Sequence, residues 1–215
     1  MTTILPAGVD RVDVPRLYSR LAPVYDLWAR LTEGKARRLC LERAQVRDGE
    51  AVLEVAVGTG LVFQEVLRRN PSGRSVGIDV TRAMLARARR KAEAMAPGGR
   101  WELRVGDAYA LDFADGSFDL LINNYMFDLL PEPDFSAVLR EFHRSLAPGG
   151  RLVLVNMTTG AGLWAWLYRR NPALLGGCRG VELLPYVQAA GFVGARRELV
   201  MQLGFPSEIL LAHKP

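Results

Sequence analysis

The stretch AVLEVAVGTG (51–60) is almost continuously apolar up to Val57 and then breaks into Gly-Thr-Gly. A run of that length reads as a buried strand over 51–57, and the glycines read as a tight turn leaving it. Upstream, residues 15–44 are helical in pattern, with Leu17, Leu21, Val24, Trp28 and Leu31 recurring at spacings of three and four. Gly34 splits that segment into two helices. Downstream, 61–69 is helical and stops at Pro71 and Gly73, RSVGID (74–79) is a second strand, and 81–95 is a helix ended by Pro97-Gly98-Gly99. WELRVGD (101–107) and FDLLINN (118–124) follow as strands, the latter entered through Asp115-Gly116.

The spacing predicts a further helix over 133–146, capped by Asp134 and stopped by Pro148-Gly149-Gly150, then the strand RLVLVNM (151–157). Helical segments at 160–169 and 181–189 precede two extended runs, 194–203 and 207–213. Strands alternating with helices define an α/β chain with a doubly wound, Rossmann-like, mostly parallel seven-stranded sheet. Only Gly204-Phe205-Pro206 separates the last two strands. That is too short for a helical crossover, so they form an antiparallel hairpin. Residues 1–45 are expected to be N-terminal lid helices and 46–215 the main domain, within one globular unit.

Of the 215 residues 49% are apolar, enough to bury a core without disulfides or metal, and the net charge is +5. The positive balance weakly favours anionic partners, a solvated basic surface being the preferred reading. Cys40 and Cys178 form no paired motif, and with His143 and His213 the only histidines, metal chemistry has few ligands. Both cysteines are read as packing residues, and His143, on the helix before the fifth strand, is given no catalytic role. The N-terminus lacks a basic region followed by an apolar run, and no apolar stretch approaches the roughly 18 residues of a membrane span. A cytoplasmic protein is expected, in contact at most with the inner membrane surface.

Ligands in such sheets sit beyond the carboxyl ends of the central strands. Gly58 and Gly60 let the backbone approach a ligand. Asp79 ends the second strand 19 positions beyond Gly60, placed to accept from both hydroxyls of a ribose. Gly106-Asp107-Ala108 ends the third strand, where a carboxylate and exposed backbone can meet an adenine. A nicotinamide-dependent oxidoreductase shares the turn and the acid, but its fingerprint requires a third glycine where Phe63 stands.

The ordered set LEVAVGTG (53–60), VGIDVTRAML (76–85), GDAYALDFADGSFDLLI (106–122) and LREFHRSLAPGGRLVLVN (139–156) resembles the motifs of class I S-adenosylmethionine-dependent methyltransferases. The resemblance implies that Glu54 and Gly58 lie near the methionine part of the cofactor, Asp79 on the ribose, Asp107 and Ala108 on the adenine, and Asn123 or Asn124 beside the sulfonium. Tyr18, Tyr25, Ala56, Gly60, Val80, Met84 and Gly106 complete the expected contacts, with S-adenosylhomocysteine as product. Ala56 departs from the family, which usually has glycine there.

YSRLAPVYDLW (18–28) resembles the opening of the ubiquinone and menaquinone methyltransferases and of bacterial phosphatidylethanolamine N-methyltransferases, in which this segment folds over the cofactor. Tyr25 is therefore expected on the lid. In NNYMFDLLP (123–131), Asn124, Tyr125 and Asp128 are candidates for orienting an acceptor, Asp128 alternatively being a surface residue before Pro131. GAGLWAWLYRRNPALLGG (160–177) places Trp164, Trp166, Leu167 and Tyr168 before Arg169-Arg170. It reads as an aromatic pocket wall, an interfacial lipid patch, or a helix packed on the sheet.

Together with Arg16, Arg20, Arg30, Arg37 and Arg38 this favours a lipid headgroup amine or another lipophilic small molecule as acceptor. The alternatives are carbon or oxygen methylation of a quinone-like or aromatic metabolite, or cofactor binding without transfer. RARRK (87–91) reads as a solvated helix face. No basic stripe or base-clamping motif points to nucleic acid. A monomer and a homodimer both fit.

Overall fold

The computed structural model describes residues 13–158, 166, 170 and 179–215. Its elements are α1 (Val14–Thr32), α2 (Gly34–Ala44), β1 (Ala51–Val55), α3 (Phe63–Arg69), β2 (Arg74–Asp79), α4 (Arg82–Met95), β3 (Trp101–Val105), β4 (Phe118–Asn124), α5 (Phe135–Ser145), β5 (Leu146–Met157), α6 (Leu184–Ala189), β6 (Val193–Gln202) and β7 (Phe205–His213). The seven strands form one sheet in the order β3-β2-β1-β4-β5-β7-β6, parallel except that β7 runs antiparallel to both neighbours. Strand order reverses between β1 and β4, so a crevice opens beyond their carboxyl ends.

Alternation along the strands divides the core. Leu53, Val55, Val76, Ile78 and Leu121 pack with Val138, Leu139 and Phe142 of α5 and Val187 of α6 on one face. Val52, Leu120, Ile122, Val153 and Val155 pack with Ala36, Cys40, Leu41 and Ala44 of α2 and Val66 of α3 on the other. The second helix is thus a layer of the core, and Cys40 is fully buried in it. The first helix lies across α4 instead.

Several boundaries differ from the sequence reading for definite reasons. The first strand ends at Val55, because Ala56 turns into the left-handed region with φ +56°. The helix α5 ends at Ser145, where Leu146 turns extended and opens β5, so Pro148-Gly149-Gly150 lies inside that strand, with Gly149 and Gly150 exchanging backbone hydrogen bonds with Lys214. A register irregularity between Phe118 and Leu120 absorbs the extra residues. The hairpin turn is Leu203-Gly204, with φ +48° and +78°, the two-residue geometry that matches strand twist, so Phe205 and Pro206 belong to β7. Val181 forms a parallel bridge with Thr158, delaying α6 until Leu184. Asp134 precedes α5 but makes no cap; its carboxylate accepts the Tyr109 hydroxyl at 2.6 Å. The segment 87–91 is no simple solvated face. Arg89 donates to the Leu103 carbonyl at 2.8 Å, and Lys91 bridges to α1 and the glycine turn.

Candidate active site

At the carboxyl ends of β1, β2 and β4 lies a cleft of about 510 Å³. The glycine turn forms its floor. Gly58 (φ +55°) donates its N–H to Asp79 Oδ2 at 2.9 Å, and Thr81 donates to Oδ1 at 2.7 Å. These bonds fix the carboxylate at the end of β2. Burial nonetheless raises the pKa of Asp79, against the lowering effect of both backbone donors. Val80, Met84, Gly106, Asp107 and Ala108 continue the wall, and Asp107 Oδ1 accepts the Tyr109 N–H at 3.1 Å. Pro15 and Tyr18 of α1 close the cleft from above.

A side chamber of about 50 Å³ shares Ala56, Gly58, Asn124 and Tyr125 with the cleft. Glu33, Arg37 and Glu54 also line it. Burial, with the charge of Asp79 second, raises the Glu54 pKa well above the usual range. Glu33 is pushed up to about 7 by burial, with Arg37 opposing. Glu54 Oε2 and both amide atoms of Asn124 are buried without a hydrogen-bond partner. Such atoms are costly to bury and are ordinarily satisfied; Asn123, Asp128 and Asn156 also carry one each inside the core, but those of Glu54 and Asn124 belong to residues that line a cavity, where polar groups of a ligand can reach them.

The structure separates the remaining expected residues. Gly60 lies outside the cleft lining, packed under α4, where a Cβ would come within 2.9 Å of Ala88 Cα. Asn123 is fully buried beneath the cleft, its Nδ2 donating to the Val55 carbonyl at 2.9 Å. Tyr125 lines both cavities, with φ +50° and its hydroxyl 2.7 Å from Ser207 Oγ.

Asp128 is neither a surface residue nor part of the lining. It is fully buried, its Oδ2 accepts the Met157 N–H at 2.9 Å, and its carbonyl accepts from Arg179 at 3.0 Å. Its place is structural, holding the 125–131 segment against β5. His143 lies outside the cleft lining, edge-on to Phe192 at 5.0 Å. The Tyr25 side chain, and Trp164, Leu167, Tyr168, Arg169 and Cys178, fall outside the described residues. Of the aromatic stretch, Trp166 is 47% exposed with Arg170 over its ring at 5.5 Å.

Sequence reasoning missed Glu33 and Arg37 as site residues, because no motif surrounds them. It also missed the apolar wall of Tyr109, Met126, Leu129 and Leu130. Met126, Leu129 and Leu130 come together because the 126–130 segment folds as turns, with Leu129 N–H bonded to the Met126 carbonyl at 2.9 Å, a placement that no helical or strand period announces.

Residues 52–150 match the family model described as a methyltransferase domain. A demethylmenaquinone methyltransferase of Thermus thermophilus is 38% identical over 143 residues, 65% of this chain and 63% of that protein. The ubiquinone/menaquinone biosynthesis C-methyltransferase UbiE of Paracoccus denitrificans is 35% identical over 160 residues, 72% and 63% respectively. The aligned part therefore spans less than two thirds of either relative's length.

Among solved structures, the [4+2]-cyclase SpnF superposes with TM-score 0.77 over 99% of both chains at 21% identity. An S-adenosylmethionine-dependent methyltransferase from Methanosarcina mazei gives 0.64 over 78% of this chain and 93% of that one, at 20% identity. Sequence and fold point the same way: residues 52–150 match a methyltransferase domain, and the sheet has the fold of the class I S-adenosylmethionine-dependent methyltransferases. Within that class it resembles the ubiquinone/menaquinone biosynthesis C-methyltransferases.

Proposed function

We propose that this chain methylates a ring carbon of a lipophilic quinone-type acceptor, in its electron-rich reduced form, using S-adenosylmethionine. The observation that carries the cofactor part of the reading is the pair of cavities sharing Asn124, whose buried amide atoms, like Glu54 Oε2 in the side chamber, have no partner; the ring-carbon acceptor rests on the relatives. When bound, S-adenosylmethionine would supply a sulfonium methyl for in-line displacement, its S–CH3 bond breaking as the bond to the ring carbon forms, with S-adenosylhomocysteine leaving and the displaced ring proton passing to solvent. The chain's own residues then bind and orient. Asp79 accepts from the ribose hydroxyls, and Asp107 with Ala108 meets the adenine. Glu54, Glu33, Arg37 and Asn124 receive the zwitterionic amino-acid end, carboxylates toward its ammonium and guanidinium toward its carboxylate.

Tyr109, Met126, Leu129, Leu130 and Tyr18 offer an apolar wall to the acceptor, and α1 keeps water out. Holding nucleophile and methyl in line can contribute roughly 7–11 kcal/mol in favourable cases. The carbon-methylating relatives support a ring acceptor over a headgroup amine, which stands second. That a cyclase shares the fold is the reason the reaction needs direct proof.

The test is calorimetric titration with S-adenosylmethionine and S-adenosylhomocysteine, followed by a transfer assay with a reduced short-chain demethylmenaquinone. Micromolar cofactor binding is expected, weakened about tenfold or more in Asp79→Ala by loss of charge-assisted bonds. Binding without transfer to any quinol would overturn the acceptor; no binding at all would overturn the cofactor.

A further inference from the structure

A second surface lies at the same end of the sheet as the cleft. The sixth strand runs parallel to β5, so the β6–β7 turn emerges beside the carboxyl ends of the central strands. The turn is clamped onto the helices. Gln202 Nε2 donates to the carbonyls of Arg30 and Leu31 at 3.0 and 2.6 Å, and its Oε1 accepts the Lys35 N–H at 2.5 Å. This fixes Leu203, 72% exposed, in one groove with Leu31, 50% exposed. Leu27, one turn back on α1, is 65% exposed.

Arg30, Lys35 and Arg38 line that groove with the leucines. Between Leu27 and Arg38 the sole acidic residue is Glu33, which is buried, so every solvent-facing charge of the segment is positive. Exposed leucines held in place by a side-chain clamp and rimmed by cations match an anionic lipid surface, apolar tips among the acyl chains and cations among the headgroups.

We infer that the end of α1, the start of α2 and the β6–β7 turn form a docking surface for an anionic bilayer. The helix that carries Leu27 and Leu31 also lines the cleft through Pro15 and Tyr18. Docking therefore brings the cleft mouth to the interface, a purpose that rests on the lipophilic acceptor proposed above. The surface differs from the aromatic stretch at 160–177, on which it does not depend.

The experiment is flotation of the full chain with phosphatidylcholine vesicles, with and without phosphatidylglycerol. Wild type is expected on the anionic vesicles only, and added salt should release it. Leu31→Asp with Leu203→Asp should lower partitioning about tenfold or more, and Arg38→Ala about fivefold, as one cation near an anionic surface is worth about 1 kcal/mol. Unchanged circular dichroism and S-adenosylhomocysteine affinity in the variants show that they remain folded.

Wild type that ignores anionic vesicles, or variants that bind as well as wild type, would overturn the inference. So would lipid-independent self-association abolished by the same variants, which would make the surface a contact between two copies. Transfer to a water-soluble short-chain quinol reads the acceptor separately. Transfer without vesicle binding fails the docking alone, and vesicle binding without transfer fails the acceptor alone.

Discussion

Asp26 on α1 and Lys91 on α4 form an ion pair at 2.6 Å, and both also hold Thr59 in the middle of the glycine turn. Asp26 Oδ1 accepts the Thr59 hydroxyl at 2.5 Å, and Lys91 Nζ donates to the Thr59 carbonyl at 2.9 Å. One three-way junction thus fastens the helix above the cleft to the turn below it. Both side chains are about one quarter to one third exposed, at 24% and 30%, so screening reduces the pair, while the bonds to Thr59 add to it.

Asp26→Asn or Lys91→Met should loosen α1 with little change in global melting. Hydrogen exchange of α1 amides should rise several-fold while β4 and β5 stay protected, and S-adenosylhomocysteine should dissociate faster. Burial acts to raise the Asp26 pKa, but hydrogen bonds from Lys91 and Thr59 outweigh it and leave it lowered. A depressed carboxylate stabilises above its unfolded pKa and loses that contribution as pH falls, so α1 exchange should also accelerate on acidification. Equal exchange in wild type and variants would show that the junction holds nothing.

Gly58 and Gly60 stand in the same turn for different reasons. At Gly58 an added Cβ meets nothing within 4 Å, so Gly58→Ala incurs only the left-handed strain of about 1–2 kcal/mol. It should stay folded but bind the cofactor poorly, because the new methyl sits on a residue lining both cavities. At Gly60 the Cβ lies 2.9 Å from Ala88 Cα and Cβ, and φ is +80°. Strain and overpacking together should cost about 2–5 kcal/mol, read as a fall in urea midpoint. Equal stability losses in the two variants would refute the distinction.

Ala56 carries a left-handed φ of +56°, which an alanine side chain disfavours by about 1–2 kcal/mol. Ala56→Gly relieves that strain but frees the unfolded chain by roughly 0.4–1 kcal/mol. The net expectation is a melting point equal to or a few degrees above wild type. An alanine-to-glycine change at Ala88, inside α4, should instead cost about 1 kcal/mol. A clear loss of stability in Ala56→Gly would mean that the methyl group packs better than its backbone is strained.

The strand order and the ligand-bearing strand ends were legible because they rest on short-range signals: apolar runs, glycine turns, and an acid closing β2. Asp79, Gly58, Asp107 and Asn124 fall on one cleft for that reason. What the sequence hid depends on long-range packing. Asp128 and Asn124 are four residues apart in one segment, yet one points into the core and the other into the cleft. Glu33 looks like a helix-linker acid, and only the fold brings it, buried, into the side chamber with Glu54, Asn124 and Tyr125, residues far from it in sequence. Gly149 and Gly150 read as a stop because their strand partner, Lys214, lies at the far end of the chain.

Glu33 makes the stability of the protein depend on pH. Its pKa is raised from the ordinary 4.5 to about 7, by burial against the opposing charge of Arg37. Between those values the folded chain binds more protons than the unfolded one, so stability falls as pH rises through the window and levels off above it. The shift corresponds to up to about 3 kcal/mol at full ionisation. Glu33→Gln should flatten the decline and be the more stable protein at pH 8, as read by urea denaturation across pH. Burial raises Glu54 and Asp128 too, tilting the profile the same way, so the difference between wild type and variant isolates Glu33. An ammonium entering the side chamber should ionise Glu33, and cofactor binding near pH 6 should release protons, seen as a buffer-dependent heat of binding that Glu33→Gln diminishes. Parallel pH profiles for the two proteins would show that Glu33 is ionised in the fold.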